Sequence, residues 1–187
     1  MKKFLQFSGL IAAVVAIVSF VLLLACSSLT YDSGIAIPNV TDGKAVLSGI
    51  EGIFGKTGTS EVFGKTSTYT VYNPTVSAII AFVLLIVAML ILIVGALLPI
   101  LKVKALNKFA GLLNLIAVIA LVVAGVLVFI EVPCFCAAQS TKDYTMSTDG
   151  WTLNAGWIIS GICAIVAGVL AIAPAFADFL AKGKKHK

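Results

Sequence analysis

Arginine is absent from this 187-residue sequence, histidine occurs once, and only 11% of the residues are charged. A water-soluble domain carries roughly 25% charged residues, so the scarcity of charge excludes an ordinary soluble globule. A hydrophobic content of 60% and a mean hydropathy of +1.13 exclude a disordered chain as well. The lone histidine, His186, lies in a lysine-rich tail, which leaves no histidine-based triad or metal cluster. No cofactor is implied. What remains is an integral membrane protein whose main partner is the lipid bilayer.

Four stretches reach the roughly 20 apolar residues that a helix needs to cross a bilayer: 4–25, 76–100, 109–130 and 151–173. None contains Asp, Glu, Lys, Arg or His. Backbone groups in hydrocarbon must be satisfied internally, so each stretch is predicted to be helical. β-barrel strands would alternate polar and apolar residues, and these runs do not. The sequence predicts an all-α transmembrane protein, a four-helix membrane bundle with a small extracytoplasmic, β-containing loop domain. The segments between the spans are an outer loop one (26–75), a cytoplasmic loop (101–108), an outer loop two (131–150) and a basic cytoplasmic tail (174–187).

Lysine orients the bundle. Nine of the 13 lysines flank the N-terminus, the 101–108 loop and the tail, whereas Lys44, Lys56, Lys65 and Lys142 share the other side with seven of the eight acids. The positive-inside rule then places both termini in the cytoplasm. The formal net charge of +5 is a topology signal on this account, and no nucleic-acid partner is implied. Tyr69, Tyr72, Trp151 and Trp157 are expected as aromatic anchors at the outer interface, and Phe4, Phe7, Phe176 and Phe179 at the inner one. Lysine as the sole strong base and the lipobox-like start described next point to a bacterial cytoplasmic membrane.

Leu23-Leu24-Ala25-Cys26 resembles a bacterial lipobox, in which the cysteine is lipidated after cleavage. The apolar run before it is longer than a signal-peptide core, which favours a retained helix. Three cysteines are expected at one depth on the outer side: Cys26 after the first span, Cys134 and Cys136 after the third. A bridge from Cys26 to Cys134 or Cys136 would staple the two spans, and three free thiols are the alternative. Cys163, in mid-span, reads as a small packing residue. The disulfide-generating quinone oxidoreductases of bacteria are similar in span number and topology. They carry a Cys-x-x-Cys pair in the first outer loop, where this sequence has only Cys26.

Two Gly-Lys-Thr segments, Gly55-Lys56-Thr57 and Gly64-Lys65-Thr66, lack the upstream glycine spacing of a P-loop and read as turns. Asn39-Val40-Thr41 fits the N-glycosylation pattern but matters only in a secretory-pathway host. No ionisable residue lies within a span, which argues against a coupled pump.

Gly156, Ser160, Ala164 and Gly168 form a small-residue stripe at every fourth position of the fourth span, suited to close helix packing. That stripe faces either a seam within the bundle or a second copy in a homo-oligomer. Ser8 and Asn114 fall at similar depth in the first and third spans and predict an interhelical hydrogen bond. Within loop one, Val46 to Phe54 show helical periodicity weakened by Gly49 and Gly52. Thr66 to Tyr72 predicts a strand, paired with 61–63 across a Gly64-Lys65 turn, and Leu29 to Tyr31 a third strand.

Four spans, a large structured first outer loop and a short basic tail make the layout similar to claudin-type four-span proteins. The claudin first-loop tryptophan and cysteine pair are missing here, so the similarity extends to architecture alone. The expected role is non-enzymatic, with outer loop one presented to a protein partner or to the envelope. A membrane thiol-disulfide oxidoreductase using Cys134 and Cys136 is the alternative, and a small channel or transporter accessory subunit comes third.

Overall fold

A computed structural model describes residues 2–32, 44–62, 65–101 and 110–183. The 101–108 loop beyond its first residue, Asn39-Val40-Thr41, Gly64 and the lysines and His186 from 184 onward lie outside the described residues. The chain runs α1 (Lys2–Ala25), β1 (Ser27–Asp32), β2 (Lys44–Ser48), α2 (Gly49–Phe54), β3 (Lys56–Val62), β4 (Lys65–Tyr72) and α3 (Val76–Leu101). It continues with α4 (Ala110–Phe129), α5 (Glu131–Gln139), β5 (Trp151–Leu153) and α6 (Ala155–Gly183).

α1, α3, α4 and α6 are each long and apolar enough to cross a membrane. α1 packs on α3 and α6, and α4 packs on the same two, which closes a four-helix bundle. Alanine lines its interior: Ala12 and Ala16 of α1, Ala81 and Ala88 of α3, Ala117 and Ala124 of α4, Ala164 and Ala171 of α6 are all buried. Many of the larger apolar side chains, among them Val14, Val21, Ile80, Val87, Ile119 and Val169, point outward, while Leu85, Leu92 and Leu121 fill the interior beside the alanines. That inversion suits lipid, where tails are as apolar as leucine and close backbone approach drives helix association.

Polar bonds tie α1 to α6 inside the bundle. Ser19 and Ser160 donate reciprocally to each other's backbone carbonyl at 2.8 Å. The Trp157 indole N–H donates to the Leu23 carbonyl at 2.9 Å. Trp157 is fully buried, so it is a core residue and not the interfacial anchor expected from the sequence.

All strands gather at one end of the bundle, in two antiparallel sheets: a three-stranded sheet ordered β2-β1-β5 and a β3–β4 hairpin. β1 is the expected third strand, but it pairs with β2 and β5 and not with the hairpin. β5 corrects the fourth span: Trp151–Leu153 are apolar enough to extend the 151–173 run, yet they pair with Leu29–Tyr31 as a sheet edge. Asn154 makes the switch to helix, donating its N–H to the Ser28 carbonyl while its own carbonyl accepts from Trp157 and Ile158. At the other end α6 runs through Pro174 to Gly183, beyond the limit of 173 expected for the fourth span.

The 46–54 segment is half strand and half helix. Ser48 and Glu51 form a capping box that starts α2 at Gly49. Gly49 and Gly52 are there for space: a Cβ at Gly49 would collide with the Leu23 carbonyl, and one at Gly52 with Ser28 Oγ. The helix is thus clamped between α1 and β1.

Candidate functional site

The third apolar run was expected to end in a loop at residue 131. It ends instead in a second helix, α5, and the break between α4 and α5 follows from Pro133. Proline has no N–H to donate to the Phe129 carbonyl, and its ring crowds that turn. The interruption is one turn wide, because Ile130 N–H still bonds Val126 and Cys134 N–H bonds Ile130.

Glu131, Phe135 and Gln139 recur every fourth residue and share one face of α5. All three meet the stretch from Tyr72 to Ser77 that spans the end of β4 and the start of α3. Gln139 accepts from Asn73 N–H at 2.8 Å and donates back to the Asn73 carbonyl at 3.0 Å. Phe135 stacks into an aromatic cluster, 4.8 Å from the Trp151 ring and 5.5 Å from Tyr72. Glu131 Oε2 accepts from Ser77 Oγ at 2.7 Å.

Glu131 is fully buried, and only half of its carboxyl is satisfied. Oε1 has no hydrogen-bond partner, and neither does the buried Thr75 hydroxyl. Burial pushes the carboxyl up to about 7, against a smaller opposing pull led by the Ser77 hydroxyl. Glu131 also opens α5, and a helix N-terminus favours an anion by at most about 2 kcal/mol. Desolvation of a charge costs several kcal/mol and is the larger influence.

Of the two readings for Cys26, Cys134 and Cys136, a bridge or free thiols, the structure has free thiols, and Cys163 is free as well. Cys26 closes α1 and abuts Gly156, whose added Cβ would lie 2.7 Å from its Sγ. Cys134 and Cys136 stand two apart on α5, a spacing that turns side chains to different faces of a helix. Cys136 is buried with its thiol directed at the Ser147 carbonyl, 3.5 Å away, and burial pushes that thiol up. A redox-active cysteine has the opposite environment, an accessible thiol with a lowered value.

The small-residue stripe faces this chain's own helices. Gly156 meets Cys26 and Ser160 meets Ser19 on α1, Ala164 is buried, and Gly168 approaches Val122 and Leu121 on α4. Ser8 and Asn114 are both buried; Asn114 turns its Oδ1 toward α3, where a Cβ on Gly95 would come within 2.9 Å.

The hairpin was expected and is longer than expected. Thr57 pairs with Thr70, Thr59 with Thr68 and Glu61 with Thr66, so five threonines and one glutamate make up one face. All six are exposed. On the other face the Tyr69 ring covers Gly58, and Ser60 bonds Ser67 at 2.9 Å.

Sequence reasoning missed Glu131, Thr75 and Ser77. The available signal was an acid placed two residues before a proline at the end of an apolar run. Among the described residues no three His, Cys, Asp or Glu side chains group as a metal site would need. No family model, no curated protein and no solved structure matches this chain.

Proposed function

We propose that this chain is a non-enzymatic, multi-pass protein of a bacterial cytoplasmic membrane that presents its strand end to a protein partner, with the β3–β4 hairpin foremost. Both termini are cytoplasmic on this reading, from the lysine asymmetry, and the strand end is extracytoplasmic. The observation that carries it is the exposure of the hairpin on both faces. A two-stranded hairpin is marginal on its own in water, and a sheet edge left open is a template for another chain. The three-stranded sheet beside it has a packed core of Leu29, Leu47, Phe135, Cys136 and Trp151, whereas the hairpin's threonine face covers nothing among the described residues. A surface kept regular without an internal packing role is suited to recognition.

The thiol-oxidoreductase alternative draws less support, since Cys134 and Cys136 do not face each other and Cys136 is buried. The test is site-specific photocrosslinking in intact membranes from Thr59 and Thr68, followed by purification in mild detergent. A discrete protein adduct from both positions, absent from a Val83 control that faces outward on α3, is the expected result. Adducts with lipid alone would overturn the proposal.

A further inference from the structure

Glu131 leaves an imbalance that the packing does not explain. Its Oε2 has a donor in Ser77, its Oε1 has none, and the nearby Thr75 hydroxyl is buried without a hydrogen bond of good geometry. A carboxylate cannot resolve this cheaply, because it would be a buried charge without a counter-ion. Among the described residues no charged side chain pairs with it. Of the elements packed on α5, α3, α4 and β5 carry no Asp, Glu, Lys, Arg or His, while β4, β1 and β2, which meet the Phe135 cluster through Tyr72, Leu29 and Leu47, carry Lys65, Asp32 and Lys44, the last two paired with each other. The Tyr31 and Tyr72 phenols and the Cys136 thiol are the titratable groups in the cluster with Phe135, and Lys142, Asp143, Tyr144 and Asp149 in the loop that follows are exposed. A neutral acid does resolve it. The proton on Oε1 gives that oxygen a donor function toward Thr75 Oγ1, while Oε2 keeps its bond from Ser77.

The same group stands where α5 can move. The backbone break at Ile130 and Pro133 adjoins it, and the two other anchors of α5, Phe135 and Gln139, lie on the same face. We propose that α5 is a proton-operated latch, closed over the aromatic cluster when Glu131 is a neutral acid held between Ser77 and Thr75, and loosened about the break when Glu131 releases its proton to water. The closed latch keeps Phe135, Trp151 and the Cys136 thiol covered. The open latch exposes them.

Cys136 supplies the readout and Cys134, on the same helix and already partly exposed, the internal reference. The full-length protein in proteoliposomes is labelled with a maleimide at pH values on both sides of neutrality. Taking the ratio of Cys136 to Cys134 labelling cancels the ordinary rise in thiolate with pH. Release of one proton allows that ratio to climb by up to about tenfold per pH unit below the midpoint, then level off. In Glu131→Gln, which keeps the neutral hydrogen bonds, the ratio should stay flat. Ser77→Ala should move the midpoint to higher pH, since the Ser77 bond favours the carboxylate, and this arm stands even if Glu131→Gln fails to accumulate. Infrared difference spectra should show a protonated carboxyl band in the wild type at acid pH that Glu131→Gln lacks. Equal slopes in wild type and Glu131→Gln would overturn the latch. So would a ratio that responds to sodium or potassium at fixed pH, because a metal ion would then be filling the gap.

Discussion

Glu131 couples the stability of the whole chain to pH, and the sign follows from where its proton is held. Its carboxyl titrates near 7 when folded, against about 4.5 for an ordinary glutamate. Below both values the acid is neutral in either state and costs nothing. Between them the folded chain keeps a proton that the unfolded chain has lost, so stability falls as pH rises. Above about 7 the loss is complete and constant, roughly 3 kcal/mol from the gap between the two values. Glu51 acts the other way: its backbone hydrogen bond at Ser48 holds it below the usual carboxylate range. The clean measurement is therefore the difference in denaturation between wild type and Glu131→Gln across pH. We expect that difference to narrow as pH drops, and a constant difference would contradict it. Gly156 makes a second expectation at this scale. Its added Cβ would run into Cys26, so Gly156→Ala should cost about 1–3 kcal/mol by overpacking. Adding Cys26→Gly should recover most of that loss, which a double-mutant cycle in thermal denaturation would show.

At the scale of elements, the hairpin's stability is concentrated in few contacts. Tyr69 lies over Gly58, its cross-strand partner, and no buried core supports either. Tyr69→Ala should weaken the hairpin by about 0.5–1 kcal/mol, in the range of cross-strand aromatic pairs. Amide exchange in β3 and β4 should then quicken while the bundle's melting temperature holds. A matching fall in the melting temperature would mean that the hairpin is part of the bundle's fold. The hairpin was legible in the sequence because Thr66 to Tyr72 is a run of β-branched and aromatic residues that a helix would not favour. β5 was not legible, since Trp151, Thr152 and Leu153 directly precede a long apolar helix and look like its first turn. α2 was only half legible: Gly49 and Gly52 argued against a helix, and the Ser48-to-Glu51 capping box that secures it went unread.

Across the whole molecule, the four spans were legible for a simple reason: hydrocarbon keeps charged side chains out of them, so their limits stand out in composition. The candidate site was not. Its carboxyl belongs to no span, and a lone acid beside an apolar run reads as the first residue of a loop. Only the packing of α5 on the β4–α3 junction buries it. The bundle itself should respond weakly to loss of its polar bonds. Ser19→Ala and Ser160→Ala each remove one hydroxyl while the other still bonds its neighbour's carbonyl. Each should cost about 0.6 kcal/mol, the average for such bonds in membrane helices. A loss several times larger in detergent unfolding would show that a hydroxyl pair organises the α1–α6 seam beyond its own bonds.

The pairing of β1 with β5 also bears on how the chain is made. Thr30 and its partner Thr152 are 122 residues apart, with α3 and α4 between them. At a synthesis rate of about 5–20 residues per second, β1 has left the ribosome roughly 6 to 24 seconds before β5 exists. Its free edge stays open through the insertion of two more helices and closes only when the last one is being made. The three-stranded sheet is therefore a late-closing seal on assembly, and a chain halted before Trp151 would carry that edge exposed.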